Sequence, residues 1–183
     1  MNFDIEPEDY SIDKNKKIIN IESYNSSLFY GEVDSHDIYE IINKYIFNKE
    51  NDINNLSFLD IGSGCGKLII YLNNKIDFFY TGIEIIQHRY AKSLSFLKED
   101  DFNIEFINDN FKNFYLGNYD IIYCCNLIFS EDDNNLLYFK LNKEFKGYAL
   151  LFTYNNKIIH RLIDIHNVNT SWNNNVLMYL FYF

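Results

Sequence analysis

The chain has 183 residues, of which 48% are hydrophobic and 19% aromatic, so it is long and apolar enough to bury one core and is not a disordered chain. Its formal net charge of −10 excludes general nucleic-acid binding through a basic face. The acidic surface either favours a basic partner or only keeps the protein soluble. Three cysteines without a metal-ligand pattern indicate a reducing compartment, and we expect no metal site.

The two ends of the chain carry no membrane or secretion pattern. Residues 1–8 lack a basic region followed by an apolar one, and the apolar run at residues 176–183 is far shorter than the roughly 20 residues of a membrane helix. We expect an intracellular protein, in the nucleus or the cytoplasm, that does not contact a membrane. We predict an N-terminal arm over residues 1–23 and one domain over residues 24–183.

The order of apolar segments predicts an α/β fold. A loop with three aromatic side chains, residues 24–33, precedes a helix that Asp34 or Ser35 caps and that ends near Asn48. Strands are predicted at residues 56–61, 78–83, 103–107, 119–125, 147–153, 158–168 and 176–183, and further helices at residues 67–73, 87–97 and 133–142. This alternation indicates a mostly parallel seven-stranded sheet with helices on both faces. The short link between the last two strands predicts an antiparallel C-terminal hairpin.

Three of the seven glycines occupy alternate positions in the segment Asp60-Ile-Gly-Ser-Gly-Cys-Gly-Lys67, between the first of these strands and its helix. Glycine allows the backbone to approach a ligand closely, and a new helix offers free N–H groups. The spacing differs from the G-x-G-x-x-G pattern of dinucleotide folds, and the leading acid suits a cationic cofactor. The segment resembles motif I of the class I S-adenosylmethionine (SAM) methyltransferases; a tight turn without a ligand is the alternative.

Three acidic residues follow successive strands. Asp60 lies at the end of the first strand, Glu84 at the end of the second and Asp109 just after the third. Ligands of open α/β sheets bind beyond the carboxyl ends of the strands, so these side chains should meet there. We expect Glu84 to accept hydrogen bonds from the ribose hydroxyls of SAM, and Asp109 to accept one from the adenine amino group. Asn110 belongs to the same predicted site.

Five separated segments resemble the Dot1-type lysine methyltransferases, which modify histone H3 without a SET domain. They are Tyr30-Gly-Glu-Val33, the segment from Asp60 to Lys67, Gly82-Ile-Glu84 with Arg89-Tyr-Ala91, Cys125-Asn-Leu-Ile-Phe129, and Ser171-Trp172 with Tyr179. The resemblance covers residues 24–183 and implies a Rossmann-like class I methyltransferase fold. Cys125 replaces the first asparagine of the family pattern, and the basic DNA-holding segment of the nuclear enzymes is missing.

The resemblance also implies roles for individual residues. Asn126 would orient the target nitrogen or the cofactor near the methyl group, and Tyr179 would act with it in catalysis. The implied cofactor-binding residues are Tyr30, Gly31, Glu32, Asp60, Gly62, Gly64, Lys67, Glu84, Asp109, Asn110 and Asn126. The implied walls of the substrate channel are Phe129, Trp172 and Tyr179. SAM would be the methyl donor and S-adenosylhomocysteine (SAH) the product.

These patterns predict a lysine methyltransferase that acts on histone H3 or another histone-like basic protein, either free or in a nucleosome. Two alternatives remain open: a class I methyltransferase with a different acceptor (a non-histone protein, a small molecule or nucleic acid), or a catalytically silent SAM-fold module that docks a basic partner. The absence of a proline after the fourth strand argues against an amino-methylating nucleic-acid enzyme. We further predict that residues 24–33 form a lid over the cofactor, with Gly31 in a conformation that only glycine tolerates.

Overall fold

The structure is a computed structural model that describes residues 31–47 and 55–183. The predicted N-terminal arm, most of the predicted lid, and Tyr30 lie outside the described residues. The helices are α1 (Ser35–Ile42), α2 (Lys67–Asn73), α3 (Gln87–Leu94) and α4 (Glu131–Glu144). The strands are β1 (Ser57–Ile61), β2 (Phe79–Ile83), β3 (Ile104–Ile107), β4 (Ile121–Cys124), β5 (Tyr148–Leu151), β6 (Arg161–Val168) and β7 (Val176–Tyr182).

All seven strands form one sheet in the order β3-β2-β1-β4-β5-β7-β6. The first five strands in this order are parallel, while β7 runs antiparallel to both β5 and β6. The strand order reverses between β1 and β4, so the crevice for a ligand opens beyond the carboxyl ends of these two strands. The predicted mostly parallel sheet with an antiparallel C-terminal hairpin is confirmed.

Apolar side chains cover both faces of the sheet. On one face, α1 and α2 pack their buried isoleucines, among them Ile42 and Ile69, against β1, β4 and β5. On the other face, α4 contributes Leu137 and Leu141 to a second core. Among the described residues, no helix is long and apolar enough to cross a membrane.

Several helices and strands begin or end at residues other than those predicted from the sequence. Helix α4 begins earlier than predicted because the Ser130 hydroxyl accepts a hydrogen bond from the Asp133 N–H at 3.1 Å, and three acidic residues follow in the first turn. Helix α1 ends at Ile42 and continues as a wider π-type segment, Asn43–Phe47. Strand β6 begins at Arg161, three residues later than predicted, and has a register shift between Leu162 and Asp164.

Candidate functional site

The carboxyl ends of the central strands place three residues side by side. Ile61 in β1 pairs with Ile83 in β2 and with Cys124 in β4. The next residue of each strand, namely Gly62, Glu84 and Cys125, therefore emerges at the same edge of the sheet. This row brings the glycine segment, the second predicted acid and the end of β4 to one place.

The glycine segment forms a tight turn onto α2. Gly62, Gly64 and Gly66 all have positive φ angles, of 80°, 55° and 78°, which side chains rarely permit. The N–H groups of Gly62 and Ser63 both donate to the Ile83 carbonyl oxygen, at 2.9 and 3.0 Å. The alternate glycines are thus required by the backbone path between β1 and α2.

Two cavities open around this turn. The first has a volume of about 360 Å³ and is lined by Glu84 and by the segments that follow β3 and β4. The second has a volume of about 340 Å³ and contains Asp60, the start of α2 and residues 31–35. Gly31, Gly62 and Cys125 line both cavities, so the two spaces adjoin along the row at the sheet edge. An elongated ligand with two unlike ends fits this arrangement.

Asp60 is buried, with 2% of its surface exposed, and lines the second cavity. Its Oδ1 atom accepts no hydrogen bond from the described residues. Burial, reinforced by the negative charge of Glu84, raises the pKa of the Asp60 carboxyl to about 8. A buried carboxylate without a partner is costly, and a cation in the second cavity would remove that cost.

Glu84 is also buried and accepts two backbone hydrogen bonds. Its Oε2 atom accepts from the Gly64 N–H at 2.8 Å, and its Oε1 atom accepts from the Ile86 N–H at 2.7 Å. Burial raises the pKa of Glu84, while these two bonds and the positive charge of Arg89 act in the opposite direction. Glu84 lines the first cavity, as predicted, and it also holds the glycine turn in shape.

Asp109 and Asn110 follow β3 and line the first cavity. Asp109 Oδ1 accepts from the Asn110 N–H at 2.6 Å and from Asn113 Nδ2 at 2.9 Å, and these bonds lower the pKa of Asp109. Asn110 Oδ1 accepts from the Lys112 N–H at 3.1 Å and caps the short helical turn Phe111–Asn113. Asp109, Asn110 and Glu84 thus line the same cavity, and their binding of a cofactor stays a prediction.

Gly31 and Glu32 are held by the link between β6 and β7. Ser171 Oγ accepts from the Glu32 N–H at 3.0 Å, and the Ser171 N–H donates to the Glu32 carbonyl oxygen at 2.7 Å. The Glu32 carboxylate in turn pairs with Lys67 Nζ at 2.9 Å. Two segments that the sequence separates by 139 residues thus meet beside the glycine turn.

This anchoring corrects the prediction for the end of the lid. An added Cβ atom at Gly31 would lie 2.2 Å from the ring of Trp172, so a larger residue there would displace that ring. Val33 also forms an isolated antiparallel bridge with Thr170, so residues 31–33 belong to the scaffold. The remainder of the predicted lid lies outside the described residues.

Asn126 has a different position from the one that the resemblance implied. It is fully buried, and it does not line either cavity. Its Oδ1 atom accepts from the N–H groups of Phe152 and Thr153 at 2.9 and 3.1 Å, while its Nδ2 atom donates to Asn134 Oδ1 at 2.7 Å and to the Thr153 carbonyl oxygen at 3.0 Å. Asn126 therefore joins β4, α4 and the segment after β5 through its side chain.

The three predicted channel residues are not brought together as one wall. Phe129 and Trp172 line the first cavity, where Phe129 stacks on Phe111 at a ring-centroid distance of 5.5 Å. Tyr179 lines neither cavity and packs edge-on against Tyr154 at 4.7 Å. Strand β7 places Tyr179 opposite Leu151, on the far side of β5 from β4, which separates it from the cavities.

Sequence reasoning assigned no role at the site to four further cavity residues. Arg89 lines the first cavity although only 3% of its surface is exposed. Lys112 and Asp133 also line that cavity and form an ion pair with a distance of 2.5 Å. Cys125, treated only as a departure from a family pattern, lines both cavities. No sequence spacing signals the ion pair, since its residues lie on different elements and meet only in the fold.

Comparison with known proteins gives structural matches only. No protein-family model and no curated protein sequence matches the chain. A SAM-bound magnesium protoporphyrin IX methyltransferase from Synechocystis PCC 6803 aligns with a TM-score of 0.63 and 12% identity, over 81% of this chain and 79% of that one. A SAM-dependent methyltransferase from Aquifex aeolicus aligns with a TM-score of 0.56 and 11% identity, over 82% and 88%.

A third match comes from Methanococcus maripaludis. That protein, described as a candidate SAM-dependent methyltransferase, aligns with a TM-score of 0.50 and 22% identity over 63% of this chain. The chain spans only 55% of its length. These identities are too low to transfer an activity, and the alignments show a shared fold. The chain has the Rossmann-like fold of the SAM-dependent methyltransferases.

Proposed function

We propose that the protein binds SAM across the two cavities and catalyses methyl transfer from it. The buried Asp60 carboxyl carries this proposal: one of its oxygens has no hydrogen-bond partner among the described residues, and a cationic amine in the second cavity would pair with this carboxyl. SAM supplies such an amine together with a methyl group on a sulfonium. The fold of the matched structures agrees with this choice.

The proposed pose gives each end of SAM its own residues. In the second cavity, Asp60 binds the amino group, and the Lys67–Glu32 pair lies beside the amino-acid end. In the first cavity, each Glu84 oxygen accepts one backbone bond and retains a lone pair for a ribose hydroxyl. Ile85, which is 51% exposed, offers an apolar surface for the adenine ring, and Asp109 accepts from its amino group.

Calorimetry and thermal unfolding with SAM and SAH test the cofactor. We expect binding of both ligands and a higher melting temperature, because a ligand that binds only the folded state stabilises it. Asp60→Asn and Glu84→Gln should weaken binding by about tenfold or more, since each removes a charge-assisted contact worth roughly 1.5–3 kcal/mol. Asp100→Asn, at an exposed position outside both cavities, is the matched control. The proposal would be refuted if millimolar ligand produced no binding heat and no thermal shift.

The acceptor is proposed at the level of chemical class. The part of the first cavity near the end of β4 is apolar, with Leu127, Ile128, Phe129 and Trp172, and suits an acceptor with an apolar body. The Synechocystis match is named for a porphyrin, which is an acceptor of that kind. A small molecule with a nucleophilic group on an apolar body is therefore the first candidate.

A lysine of a basic protein, such as histone H3, is the second candidate. Two segments that resemble the Dot1-type enzymes, Gly31-Glu32 and Ser171-Trp172, contact each other beside the cavities. The net charge of −10 also favours a basic partner. The buried position of Asn126 counts against this candidate, because the implied orienting residue does not reach a ligand.

Radiolabelled SAM distinguishes these acceptors. Nucleosomes, free histones, DNA, RNA and a small-molecule extract would be offered separately, with the Glu84→Gln variant as the control for background. We expect label in the small-molecule fraction, and label in histones would select the second candidate. Binding of SAM without label in any fraction would instead support the silent binding module.

A further inference from the structure

One side chain lies where the two cavities adjoin. Of the three residues that line both cavities in the described parts of the chain, Gly31 and Gly62 have no side chain. The third is Cys125, whose surface is partly exposed. A ligand with one end in each cavity must pass this thiol with its middle portion.

The sheet fixes the position of Cys125. Strand β4 ends at Cys124, which pairs with Ile61, so Cys125 comes next to Gly62 at the sheet edge. The following turn, Asn126–Ile128, is held through the Asn126 side chain by the N–H groups of Phe152 and Thr153. The thiol is therefore presented by a rigid turn and not by a mobile loop.

A second observation indicates that a ligand belongs beside this thiol. Asp60 is 2% exposed, lines the second cavity together with Cys125, and has a carboxylate oxygen without a hydrogen-bond partner among the described residues. A cationic group bound there would lie in the cavity that Cys125 also lines. Cys125 is thus more than an isolated cysteine at the surface.

The surroundings also determine the chemical state of the thiol. Burial, and then the negative charge of Asp60, raise the pKa of Cys125 to about 12. The side chain is consequently a neutral, weakly nucleophilic thiol at physiological pH, because the thiolate is the reactive form. It can lie against an electrophilic centre without competing with the acceptor.

We propose that Cys125 faces the sulfonium end of the bound cofactor and sets the width and polarity of the point at which the methyl group leaves. This inference rests on the proposed function. It assigns Cys125 as a positioning and specificity-determining residue, in place of the buried Asn126. A larger or more polar side chain at this position would change which acceptors approach the methyl group.

Protection from alkylation tests this assignment. Cys65 and Cys124 are fully buried, so N-ethylmaleimide at pH 8.5 should label the native protein once, at Cys125. We expect saturating SAH to slow this labelling at least tenfold, as measured by intact mass and peptide mapping. The Cys125→Ser variant, which lacks this thiol, is the control for labelling elsewhere.

The possible failures can be told apart. If calorimetry shows SAH binding while the labelling rate of Cys125 is unchanged, the inference is refuted and the proposed function stands. If SAH does not bind at all, the proposed function fails, and the inference fails with it. If Cys125 is not labelled in the free protein, its neutral thiol is too unreactive for this probe, and the Cys125→Phe variant described next decides the inference.

A second variant separates the junction from the two cavities. Cys125→Phe should weaken SAH binding by at least a hundredfold, because SAH spans the junction. Adenosine occupies only the first cavity, so its affinity should stay within about threefold of the wild-type value. Leu127→Phe, which alters only the first cavity, is the matched control. Equal losses for adenosine and SAH in a folded Cys125→Phe protein would contradict the assignment.

Discussion

Asp60 is the penultimate residue of β1, and one of its carboxylate oxygens accepts no hydrogen bond from a described residue. Most buried polar groups in proteins have hydrogen-bond partners, so an exception beside a cavity marks a ligand contact. The raised pKa has the same origin, because burial opposes the charged form. We therefore expect a cationic ligand to stabilise the Asp60 carboxylate, whose burial is unfavourable in the free protein.

This arrangement predicts that SAH or SAM binding releases a proton. The pKa of Asp60 is raised to about 8, so the carboxyl is mostly protonated at pH 7 in the free protein, and a bound ammonium group would ionise it. Affinity should rise from pH 6 to about 8 and then fall as the ligand's α-amino group, with a pKa near 8, loses its charge. Calorimetry at pH 7 in buffers of different ionisation enthalpy measures the proton count.

Asp60→Asn is the control for that experiment, since it preserves size and removes the titration. We expect its proton release to be close to zero at pH 7. The same linkage acts on folding. Because the pKa of Asp60 is raised in the folded state, the free energy of unfolding should fall as pH rises from about 4 toward 8. This fall should be smaller in the Asp60→Asn variant. Net proton uptake by the wild-type protein on binding would contradict the assignment of Asp60 to the ammonium group.

Asn126 gives a second prediction at the residue scale. Asn126→Ala would leave the buried N–H groups of Phe152 and Thr153 without their acceptor, at a cost of about 1–3 kcal/mol each. We expect the free energy of unfolding to fall by about 2–5 kcal/mol in the absence of any ligand, as measured by urea titration. Asn167→Ala, at an exposed position, is the control. Wild-type stability with lost turnover would instead restore the catalytic role that the resemblance implied.

At the scale of elements, the first cavity depends on contacts between segments that follow different strands. The turn Phe111–Asn113 follows β3, and α4 begins after the turn that follows β4. Stacking of Phe111 on Phe129 and the Lys112–Asp133 ion pair join these two segments. Asp133 is the buried member of the pair, with a side chain that is 10% exposed. Loss of Lys112 would remove a positive charge that pairs with this buried carboxylate.

The pair should therefore support cofactor binding by holding the wall of the first cavity. We expect Lys112→Met and Asp133→Asn each to weaken SAH binding by about threefold to tenfold, with a coupling energy of about 1–2 kcal/mol between them. Calorimetry on both single variants and on the double variant provides the cycle. The reversed pair, Lys112→Asp with Asp133→Lys, restores the ion pair and should recover affinity. The recovery should be only partial, because a lysine at a helix N-terminus is unfavourable. Additive losses in the double variant would show that the two residues act separately.

At the scale of the whole molecule, the excess of acidic side chains should oppose compaction. A net charge of −10 produces self-repulsion that salt screens, with a Debye length of roughly 30 Å at 0.01 M and 10 Å at 0.1 M. We expect the melting temperature at pH 7.5 to rise by about a few degrees between 10 and 150 mM sodium chloride. Choline chloride at the same ionic strength is the control for specific sodium binding. A fall in melting temperature would mean that screened ion pairs, such as Lys67–Glu32, outweigh the repulsion.

The sequence by itself determined the order of the elements and the location of the site. Apolar periodicity, three alternate glycines and acids after successive strands depend on near neighbours in the chain, and each of these patterns predicted its element. The row formed by Gly62, Glu84 and Cys125 follows from those strands once they pair in parallel.

Only the tertiary structure decided which residues line the two cavities. Asn126 and Cys125 are adjacent in sequence, yet the first is consumed by hydrogen bonds to β5 and α4 while the second lines both cavities. An added Cβ atom at Gly31 would clash with the ring of Trp172, and no local sequence pattern reveals this contact. Local propensity decides where a strand ends, but packing between distant segments decides which way the next side chain turns.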